Sequence, residues 1–525
     1  MNNRIFKSTR IAAIFVIMAV LLSIYTSALY DLQITKGDNY LEASRNAIAT
    51  TRTIQAPRGS ILDRNGVPLV YDRTVYNVVI NRSILMRDDS PNSIILELCN
   101  LCDEHNIEYT DTFPVTEVAP FSYVADMDDT QRSRLGDYYE YFNLKDSTMA
   151  ADLISWMRQH YGVDYTLSVA DARKILGVRY EMECRLITML PDYLFIEDAT
   201  ADEISVIMEQ DFPGVEVQTS TKREYATPYA AHLLGYVGKM DSETYEKYKD
   251  KPGYGVNTDI GQDGVEAAFE EYLHGINGSV TYTTDEKGNV TGILSETPAE
   301  GGNNLYLTID IDLQAAAEDA LKNTIEDINA NKKEDEDSAR GGAVVVRDVN
   351  SGEVLVLASY PSYDPATIKE NYNELAADEL EPIFNRATLG EYNPGSTFKM
   401  VTALAGLKTG KITENTWIED KVVYTEYSDY QPRCWKSSGH GNLNVVGALE
   451  NSCNYFFYTI SEWIGIDAIE SVAREFGFGQ KTGIEIAESA GVVASREYKK
   501  EVLNDGWWAA DTLITSIGQG HNNFT

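Results

Sequence analysis

Length, composition and charge set the first limits on this chain of 525 residues. Its composition, 43% hydrophobic and 24% charged, is that of a globular protein, and its length predicts three or four domains at about 150 residues each. The 44 basic and 81 acidic residues give a net charge of −37, which repels phosphate backbones and argues against a nucleic-acid partner.

An uncharged segment, residues 11–30, follows a short basic tail. Twenty helical residues extend over about 30 Å, the thickness of the hydrocarbon core of a bilayer. Because basic residues precede the segment, the positive-inside rule predicts a cytoplasmic tail at residues 1–10, a transmembrane anchor at 11–30 and an extracytoplasmic remainder. A signal peptide cleaved near Ala28 is the alternative, and the anchor is favoured because the uncharged stretch exceeds a typical signal-peptide core.

The region after the anchor begins with strands and continues with helices. Residues 56–83 alternate apolar and polar residues around Asn65-Gly66, a strong hairpin signal. Between about residues 90 and 210, the spacing of the apolar residues predicts mostly helices. Cys99 and Cys102 lie on one of these predicted helices without a second Cys or His pair nearby, so we expect neither zinc binding nor redox chemistry from them.

A cluster of Pro, Gly and Asn at residues 296–304 predicts a domain boundary near residue 300. The following segment predicts a helix capped by an Asp, with an apolar face that runs from Leu313 to Ile328. Residues 341–360 form two apolar runs around a turn that ends at Gly352. Their continuous hydrophobicity predicts a hairpin buried on both faces, in a sheet covered by helices.

Ser396 and Lys399 lie three positions apart, directly after Pro394-Gly395 and at the predicted start of a helix. Free amide groups and the positive end of the helix dipole suit a hydroxyl that attacks a carbonyl, because they stabilise the resulting oxyanion. Burial of Lys399 on the same helical face favours a neutral amine that can take the serine proton. A hydroxyl at a helix start is also a common cap, so this pair alone does not establish catalysis.

Ser452-Cys453-Asn454 is a second motif, and it follows another predicted helix. The Ser452 hydroxyl can relay a proton to a leaving amine, and the Asn454 amide can hold either the lysine or a substrate peptide bond. A Ser-x-Asn triplet also occurs at Ser90-Pro91-Asn92, in an apparent surface turn. The order of the two motifs, rather than either motif alone, therefore carries the signal.

Ser-x-x-Lys followed by Ser-x-Asn resembles the motif order of penicillin-binding proteins and serine β-lactamases. Several other stretches resemble class B penicillin-binding proteins, namely residues 58–66, 261–275, 307–314, 385–399, 434–454 and 516–520. The similarity extends from about residue 30 to the end and includes no glycosyltransferase module.

This resemblance implies a multidomain α+β protein. It implies a transmembrane helix, then an elongated pedestal or dimerisation domain of strands and helices at residues 31–300. A penicillin-binding transpeptidase domain follows at residues 301–525, with an antiparallel sheet covered by helices. No cofactor and no metal is expected.

The activity that the resemblance implies is that of a D,D-transpeptidase, which cross-links peptidoglycan and is a target of β-lactams. Ser396 is expected to attack the penultimate D-alanine carbonyl of a stem peptide, with Lys399 as the base. Ser452 is expected to relay a proton to the leaving D-alanine. Asn454 is expected to orient Lys399 and the substrate amide. A non-catalytic cell-wall scaffold and a penicillin sensor or β-lactamase are the alternatives.

The resemblance also implies partners and a location. The expected partners are peptidoglycan stem peptides, β-lactams, the lipid bilayer through residues 11–30, and a membrane glycan polymerase of the shape, elongation, division and sporulation family. The expected location is the cell membrane, with a single span and an extracytoplasmic catalytic domain. Whether the protein acts in elongation, division or sporulation stays open.

The family's third motif, a Lys-Thr-Gly strand beside the nucleophile, is expected beyond residues 516–520. Because the chain ends at Thr525, we expect a transpeptidase domain that is incomplete at its C-terminus. Lys408-Thr409-Gly410 is unsuitable, since about 18 Å of rigid helix separates it from Ser396. Lys481-Thr482-Gly483 is unsuitable because it lies in a Gly-rich turn before a short predicted strand.

Two further residues near the second motif receive structural interpretations. His440 is expected to be a loop residue rather than a metal ligand, because the six His residues never form a His-Glu-x-x-His pattern. Trp435 is expected to pack near the rim of the site.

Overall fold

The structure is a computed structural model. It describes residues 8–30, 49–188, 193–255, 258–284 and 290–525. Most of the predicted cytoplasmic tail, residues 1–7, lies outside these ranges. The first helix, Ser8–Tyr30, includes the predicted anchor. In the part of the chain that the structure describes, no helix combines the length and apolar character needed to cross a membrane.

The described elements are numbered in chain order. The strands are β1 (Ala49–Ile54), β2 (Ile61–Leu62), β3 (Pro68–Ile80), β4 (Tyr193–Ile196), β5 (Val215–Tyr225), β6 (Val237–Lys239), β7 (Asp259–Gly261), β8 (Gly278–Thr284), β9 (Val290–Thr297), β10 (Leu305–Tyr306), β11 (Gly342–Arg347), β12 (Val354–Tyr360), β13 (Ile418–Asp420) and β14 (Gly441–Leu443). The helices are α1 (Ser8–Tyr30), α2 (Arg82–Leu85), α3 (Pro91–His105), α4 (Asp129–Phe142), α5 (Ala150–His160), α6 (Val169–Ile187), α7 (Ala201–Met208), α8 (Ala231–Leu234), α9 (Ser242–Tyr248), α10 (Gly264–Ala268), α11 (Glu270–Leu273), α12 (Ile311–Asn331), α13 (Ile368–Ala377), α14 (Lys399–Lys408), α15 (Val445–Glu450), α16 (Asn454–Ile464), α17 (Ile466–Glu475), α18 (Arg496–Glu501) and α19 (Ala509–Ser516).

The chain divides into two compact units. The first unit comprises residues 1–57, 73–222 and 275–301, and the second comprises residues 58–72, 223–274 and 302–525. Both strands and helices contribute to each unit, so the fold belongs to the α+β class.

The core of the first unit forms around α6, which packs against α3, α4 and α5. The prediction of helices between about residues 90 and 210 is confirmed for these four elements. Cys99 and Cys102 lie on the buried face of α3 with fully buried side chains. Burial raises the pKa of both thiols to about 12, so they remain protonated core residues.

In the second unit, β2 pairs antiparallel with the start of β3, and this pairing confirms the hairpin predicted at Asn65-Gly66. Gly66 has a φ of +83°, a backbone conformation that glycine adopts without a steric penalty. Asp63 is fully buried, and its carboxylate accepts hydrogen bonds from the backbone amides of Asn65 and Val67. The turn is therefore fixed by its own side chains.

The predicted Asp cap and hairpin beyond residue 300 are also present. Asp310 caps α12 by accepting a hydrogen bond from the Leu313 amide at 3.2 Å. Strands β11 and β12 pair antiparallel, with Gly342 opposite Tyr360 at one end of the pairing. Helix α12 packs against both strands.

The predicted burial of these elements is partly wrong. Val345 and Val346 on β11 are 52% and 39% exposed, because among the described strands β11 pairs only with β12 and forms an edge. Leu313 and Ile328 on α12 are also exposed, whereas Gln314 is fully buried. The helix is therefore rotated relative to the apolar face read from its sequence.

Gln314 lets us test this packing. Its Oε1 accepts a hydrogen bond from the Leu357 amide at 2.8 Å, and its Nε2 donates one to the Leu357 carbonyl at 2.8 Å. Gln314→Ala leaves both buried backbone groups without partners. We expect the free energy of unfolding to fall by about 2–3 kcal/mol in chemical denaturation. Lys322→Ala, at an exposed site on the same helix, is the control and should change it by less than about 0.5 kcal/mol. Equal effects would contradict this account of α12.

Helix α16 is central to the helical part of the second unit and packs against α14, α17 and α19. Four consecutive aromatic residues, Tyr455 to Tyr458, are buried on it. This packing fixes the first residue of α16, Asn454, relative to the first residue of α14, Lys399.

Candidate active site

Ser396 lies in a short 3-10 helix, Gly395–Phe398, that leads directly into α14. The prediction that Ser396 stands at a helix start is confirmed. Phe398 holds this turn in place, because its ring is buried and stacks on Phe524 with ring centroids 6.0 Å apart. The Ser396 side chain is exposed, so an external substrate can reach its hydroxyl.

Lys399 is a buried lysine, with 1% of its surface exposed. Its Nζ donates hydrogen bonds to the Ser452 carbonyl at 2.9 Å, the Ser452 hydroxyl at 3.0 Å and Asn454 Oδ1 at 2.5 Å. Burial lowers the pKa of Lys399 to about 8, against a smaller opposing effect of the neighbouring cysteine thiols. A substantial fraction of this amine is therefore neutral near pH 8.

The Ser452–Asn454 motif forms the link between α15 and α16. Ser452 has a φ of +49°, so the backbone turns sharply there, and Asn454 is the first residue of α16. The Trp435 indole donates a hydrogen bond to the Ser452 carbonyl at 3.1 Å, while 65% of its surface remains exposed. The structure thus brings Lys399, Ser452 and Asn454 together, with Ser396 three residues before Lys399.

Neither alternative Lys-Thr-Gly triplet belongs to this cluster. Lys408 ends α14, as predicted, and pairs with Glu475 on the surface. Thr482 and Gly483 donate their backbone amides to Glu488. The prediction of a strand after Gly483 is wrong, since the described residues 481–490 contain no strand. The Glu488 carboxylate accepts hydrogen bonds from the backbone amides of this segment instead.

Gly518 supports the turn that carries Ser396. The Gly395 amide donates a hydrogen bond to the Gly518 carbonyl at 2.8 Å, and a Cβ atom at Gly518 would lie 2.0 Å from the Gly395 carbonyl oxygen. Such a contact cannot be relieved without displacing backbone, so only glycine allows this close approach.

Gly518→Ala should therefore displace Ser396. We expect the rate at which a penicillin acylates the protein to fall by about 100-fold, since misplacement by about 1 Å has effects of that size. Gly520→Ala is the matched control, because Gly520 also has a positive φ, +79°, but a Cβ atom there meets only side chains, at 3.2 Å or more. Rates measured with a fluorescent penicillin that fall equally in the two variants would show that backbone strain alone, and not the collision with Gly395, causes the loss.

A second cluster of polar side chains lies directly behind the Ser452–Asn454 motif. Asp420, Cys434, His440 and Cys453 each offer one ligand atom, and these four atoms lie within 4.8 Å of one another. His440 Nδ1 lies 2.8 Å from Asp420 Oδ2, and all four side chains are buried. Burial acts to raise the pKa of Asp420, but hydrogen bonds from Val422 and His440 outweigh it and lower that pKa.

These residues fit a metal ion chemically. Cysteine sulfur, histidine nitrogen and aspartate oxygen are all ligands that Zn²⁺ takes, and four ligands complete its tetrahedral coordination. His440 Nε2 is buried without a hydrogen-bond partner among the described residues, so its Nδ1 is the ring nitrogen that faces the other donors. The four residues could hold Zn²⁺ and so tie β13 and β14 to the Ser452 motif.

Sequence reasoning missed this cluster. His440 lies in a loop directly before β14, as expected. The sequence did not indicate that its ring lies against Asp420 and Cys434. The only signal was a Cys and a His close in sequence, followed by a Cys inside the Ser-x-Asn motif. Trp435, by contrast, lies at the rim of the site as predicted.

Comparison with known proteins identifies two domains. Residues 53–307 match the family model of the penicillin-binding protein dimerisation domain. Residues 342–523 match that of the penicillin-binding protein transpeptidase domain. The four predicted site residues all lie in the second match.

Similar proteins cover nearly the whole chain. The peptidoglycan D,D-transpeptidase MrdA of Escherichia coli is 29% identical over 520 residues, which are 97% of this chain and 68% of that protein. A solved structure of a peptidoglycan synthase complex that coordinates polymerization and crosslinking is 25% identical, covers 99% of this chain and 76% of the matched chain, and has a TM-score of 0.60. The complex of penicillin-binding protein 2 and MreC from Helicobacter pylori shares the fold, with a TM-score of 0.62, 23% identity and coverage of 91% and 74%.

Proposed function

The chain belongs to the class B penicillin-binding proteins, and from that premise we propose that it is a peptidoglycan D,D-transpeptidase acting through a serine acyl-enzyme. The proposal rests above all on the buried Lys399 amine, whose pKa is lowered to about 8 and whose partners are Ser452 and Asn454. A lysine that merely stabilised the fold would be expected to pair with a carboxylate and stay charged.

The hydrogen bonds of Lys399 support a role as general base. A neutral amine has two N–H groups, which suffice for the Ser452 carbonyl and Asn454 Oδ1. Its lone pair can then accept a proton from a hydroxyl, and the Ser452 hydroxyl already lies 3.0 Å from this nitrogen. Because Ser396 is exposed and stands one helical turn before Lys399, its hydroxyl is the candidate donor.

In the proposed reaction, Lys399 takes the proton of the Ser396 hydroxyl while Oγ attacks the penultimate D-alanine carbonyl of a stem peptide. The peptide C–N bond breaks, and the terminal D-alanine leaves with a proton relayed through the Ser452 hydroxyl. An amine of a neighbouring strand then attacks the acyl-enzyme and takes over the acyl group. Ser396 regains a proton, and the cross-link is complete. Asn454 keeps Lys399 oriented and contacts the substrate amide.

The proposal includes a location and partners. Residues 11–30 anchor the protein in the cell membrane, residues 31–300 form the pedestal, and residues 301–525 form the transpeptidase domain on the extracytoplasmic side. The H. pylori protein forms a complex with MreC, and the matched synthase complex couples polymerization to crosslinking. By analogy, we propose a membrane glycan polymerase as partner and a role in cell shape.

Labelling with a fluorescent penicillin tests the proposed function. A transpeptidase should form a stable adduct that is lost in Ser396→Ala. Thr397→Ala is the matched control, because this neighbouring hydroxyl is also exposed and donates a hydrogen bond within its own turn, to the Pro394 carbonyl. This variant should still label. Rapid turnover of the adduct would instead indicate a β-lactamase, and an adduct that persists in Ser396→Ala would refute the assignment of the nucleophile. No adduct at all would indicate a scaffold.

A further inference from the structure

The carbonyl oxygen of Ser452 is held by two donors from different segments of the chain. Lys399 Nζ donates to it at 2.9 Å, and the Trp435 indole Nε1 donates to it at 3.1 Å. A carbonyl oxygen has two lone pairs, so these two hydrogen bonds fill its acceptor capacity. The backbone amide of Ser452 donates in turn to the Leu449 carbonyl at 3.1 Å. Ser452 is therefore held on both sides of its Cα atom.

These bonds matter because the backbone of Ser452 has an unfavourable conformation. Its φ of +49° lies in the left-handed region, which a residue with a Cβ atom adopts only where its surroundings impose it. The Ser452 hydroxyl, which lies 3.0 Å from Lys399 Nζ, belongs to the same residue. A change in the backbone angles of Ser452 would therefore move both its carbonyl and its hydroxyl relative to Lys399.

Of the two donors, Trp435 is the one that stays unchanged during the proposed reaction. Lys399 gains and loses a proton as the base, so its hydrogen bonds to Ser452 change from step to step. An indole N–H is a donor only and does not titrate. Trp435 can therefore hold the Ser452 carbonyl both while Lys399 is neutral and while it is charged.

The position of Trp435 is itself fixed. The backbone amide of Cys434, the residue directly before it, donates to the Val422 carbonyl at 2.7 Å. The Trp435 ring lies against the His440 ring, with centroids 5.3 Å apart. The Trp435 side chain is nevertheless 65% exposed, so burial in a core does not account for a tryptophan here. Its hydrogen bond to Ser452 does.

We propose that Trp435 is a positioning residue for the acylation of Ser396, and that its indole N–H keeps the Ser452 carbonyl and hydroxyl in place beside Lys399. This role rests on the proposed function, whereas the hydrogen bond between Trp435 and Ser452 does not. An exposed indole can instead serve as a flat surface on which a substrate stacks. That use depends on the ring, whereas the proposed role depends on the N–H group, so an experiment can separate them.

Two substitutions in the full chain separate the N–H group from the ring. Trp435→Phe keeps an aromatic ring and removes the donor. Trp435→Gln removes the ring and keeps a donor, since glutamine Nε2 and tryptophan Nε1 are the same number of bonds away from Cα. We expect acylation by a saturating fluorescent penicillin to slow by about tenfold in Trp435→Phe, the effect of one lost hydrogen bond. The rate should stay within about threefold of the wild type in Trp435→Gln.

The dependence of the rate on penicillin concentration completes this test. In Trp435→Phe, the concentration that gives half of the maximal rate should equal that of the wild type, because the proposed role affects the chemical step and not binding. A Trp435→Phe variant that is acylated as fast as the wild type would overturn the proposal. So would a Trp435→Gln variant as slow as Trp435→Phe, or a loss that comes only from a higher half-maximal concentration, since both would indicate a role of the ring.

NMR spectroscopy tests the hydrogen bond without any activity. In the full chain in detergent, each ¹⁵N-labelled indole gives one N–H signal, and Trp435→Phe and Trp417→Phe identify two of these signals. Trp417 is the matched control, because it is 59% exposed and its indole has no hydrogen-bond partner in the part of the chain that the structure describes. We expect the Trp435 N–H to exchange with solvent at least about tenfold more slowly than that of Trp417.

Equal exchange of the two indoles would refute the hydrogen bond and overturn the proposal with it. If the wild-type chain forms no penicillin adduct, the proposed function fails and the role of Trp435 in acylation fails with it. The exchange measurement then still decides whether Trp435 holds Ser452.

Discussion

Replacing Lys399 with Met is expected to lower the rate of acylation by penicillin about 10²–10⁴-fold, the usual contribution of a positioned general base. Methionine fills nearly the same volume but cannot accept the Ser396 proton. It also leaves Asn454 Oδ1 without its donor. Lys408→Met is the control on the same helix, because Lys408 is exposed and pairs with Glu475. Its rate should stay within about twofold of the wild type. Similar losses in both variants would argue against a specific role for Lys399.

The pH dependence of acylation gives a second view of the same residue. Because burial lowers the pKa of Lys399 from 10.5 to about 8, the neutral base becomes populated as the pH rises through 8. The acylation rate should therefore reach half of its maximum near pH 8 and level off at a pH about one unit higher. In the unfolded chain, Lys399 keeps its proton up to its ordinary pKa of 10.5. Burial of the charged amine therefore lowers the free energy of unfolding by a constant amount below pH 8, and this penalty disappears between about pH 8 and 10.5. A rate that rises only above pH 10 would contradict a depressed pKa.

The second large effect concerns a buried ion network in the second unit. Glu266 has a fully buried carboxylate that pairs with Arg58 at 2.6 Å and with Arg223 at 2.7 Å. Arg58 also pairs with Glu270, and Arg223 with Asp72. Three carboxylates and two guanidinium groups therefore pair with one another away from solvent, where an unpaired charge is costly.

Arg58 and Arg223 both donate to the Glu266 carboxylate, so Glu266→Gln weakens two buried charge-assisted hydrogen bonds, while Arg58 keeps Glu270 and Arg223 keeps Asp72. We expect the free energy of unfolding to fall by about 3 kcal/mol, measured by chemical denaturation, because hydrogen bonds to charged groups contribute about 1.5–3 kcal/mol each. Glu271→Gln is the matched control, because Glu271 is exposed and pairs with Lys251 on the surface. It should change the free energy by less than about 1 kcal/mol. A Glu266→Gln variant as stable as the control would show that the network is dispensable.

The same network predicts a loss of stability in acid. Burial acts to raise the pKa of Glu270, but hydrogen bonds from His274 and Arg58 hold it at about 2. The ionised Glu270 carboxylate therefore adds to the free energy of unfolding above pH 4.5, the ordinary pKa of a glutamate. This contribution is lost as the pH falls towards 2.

Local signals in the sequence predicted local structure well. The Asn65-Gly66 turn, the Asp310 cap and the position of Ser396 at a helix start all depend on residues within one turn of each other. Burial was predicted less well, because it depends on what packs against an element. Val345 is apolar but exposed on an edge strand. Gln314 is polar but buried, and hydrogen bonds to the Leu357 backbone satisfy its side-chain amide.

The candidate site shows the same division. Its two motifs were visible because each is a short pattern, and the resemblance to a known family linked them. Long-range clusters were not visible. Glu266 meets Arg58 across 208 positions of chain, and Cys453 meets Asp420 across 33, so no periodicity could indicate either contact. Only the folded chain brings these charges and thiols together.

The most direct test is to locate the acyl group on the protein. After reaction with a penicillin, trypsin should release residues 387–399 with the adduct attached, and tandem mass spectrometry should assign it to Ser396. This result is predicted because the Ser396 hydroxyl is exposed and stands one turn before the buried Lys399 amine. An adduct on any other residue of the chain would contradict the account.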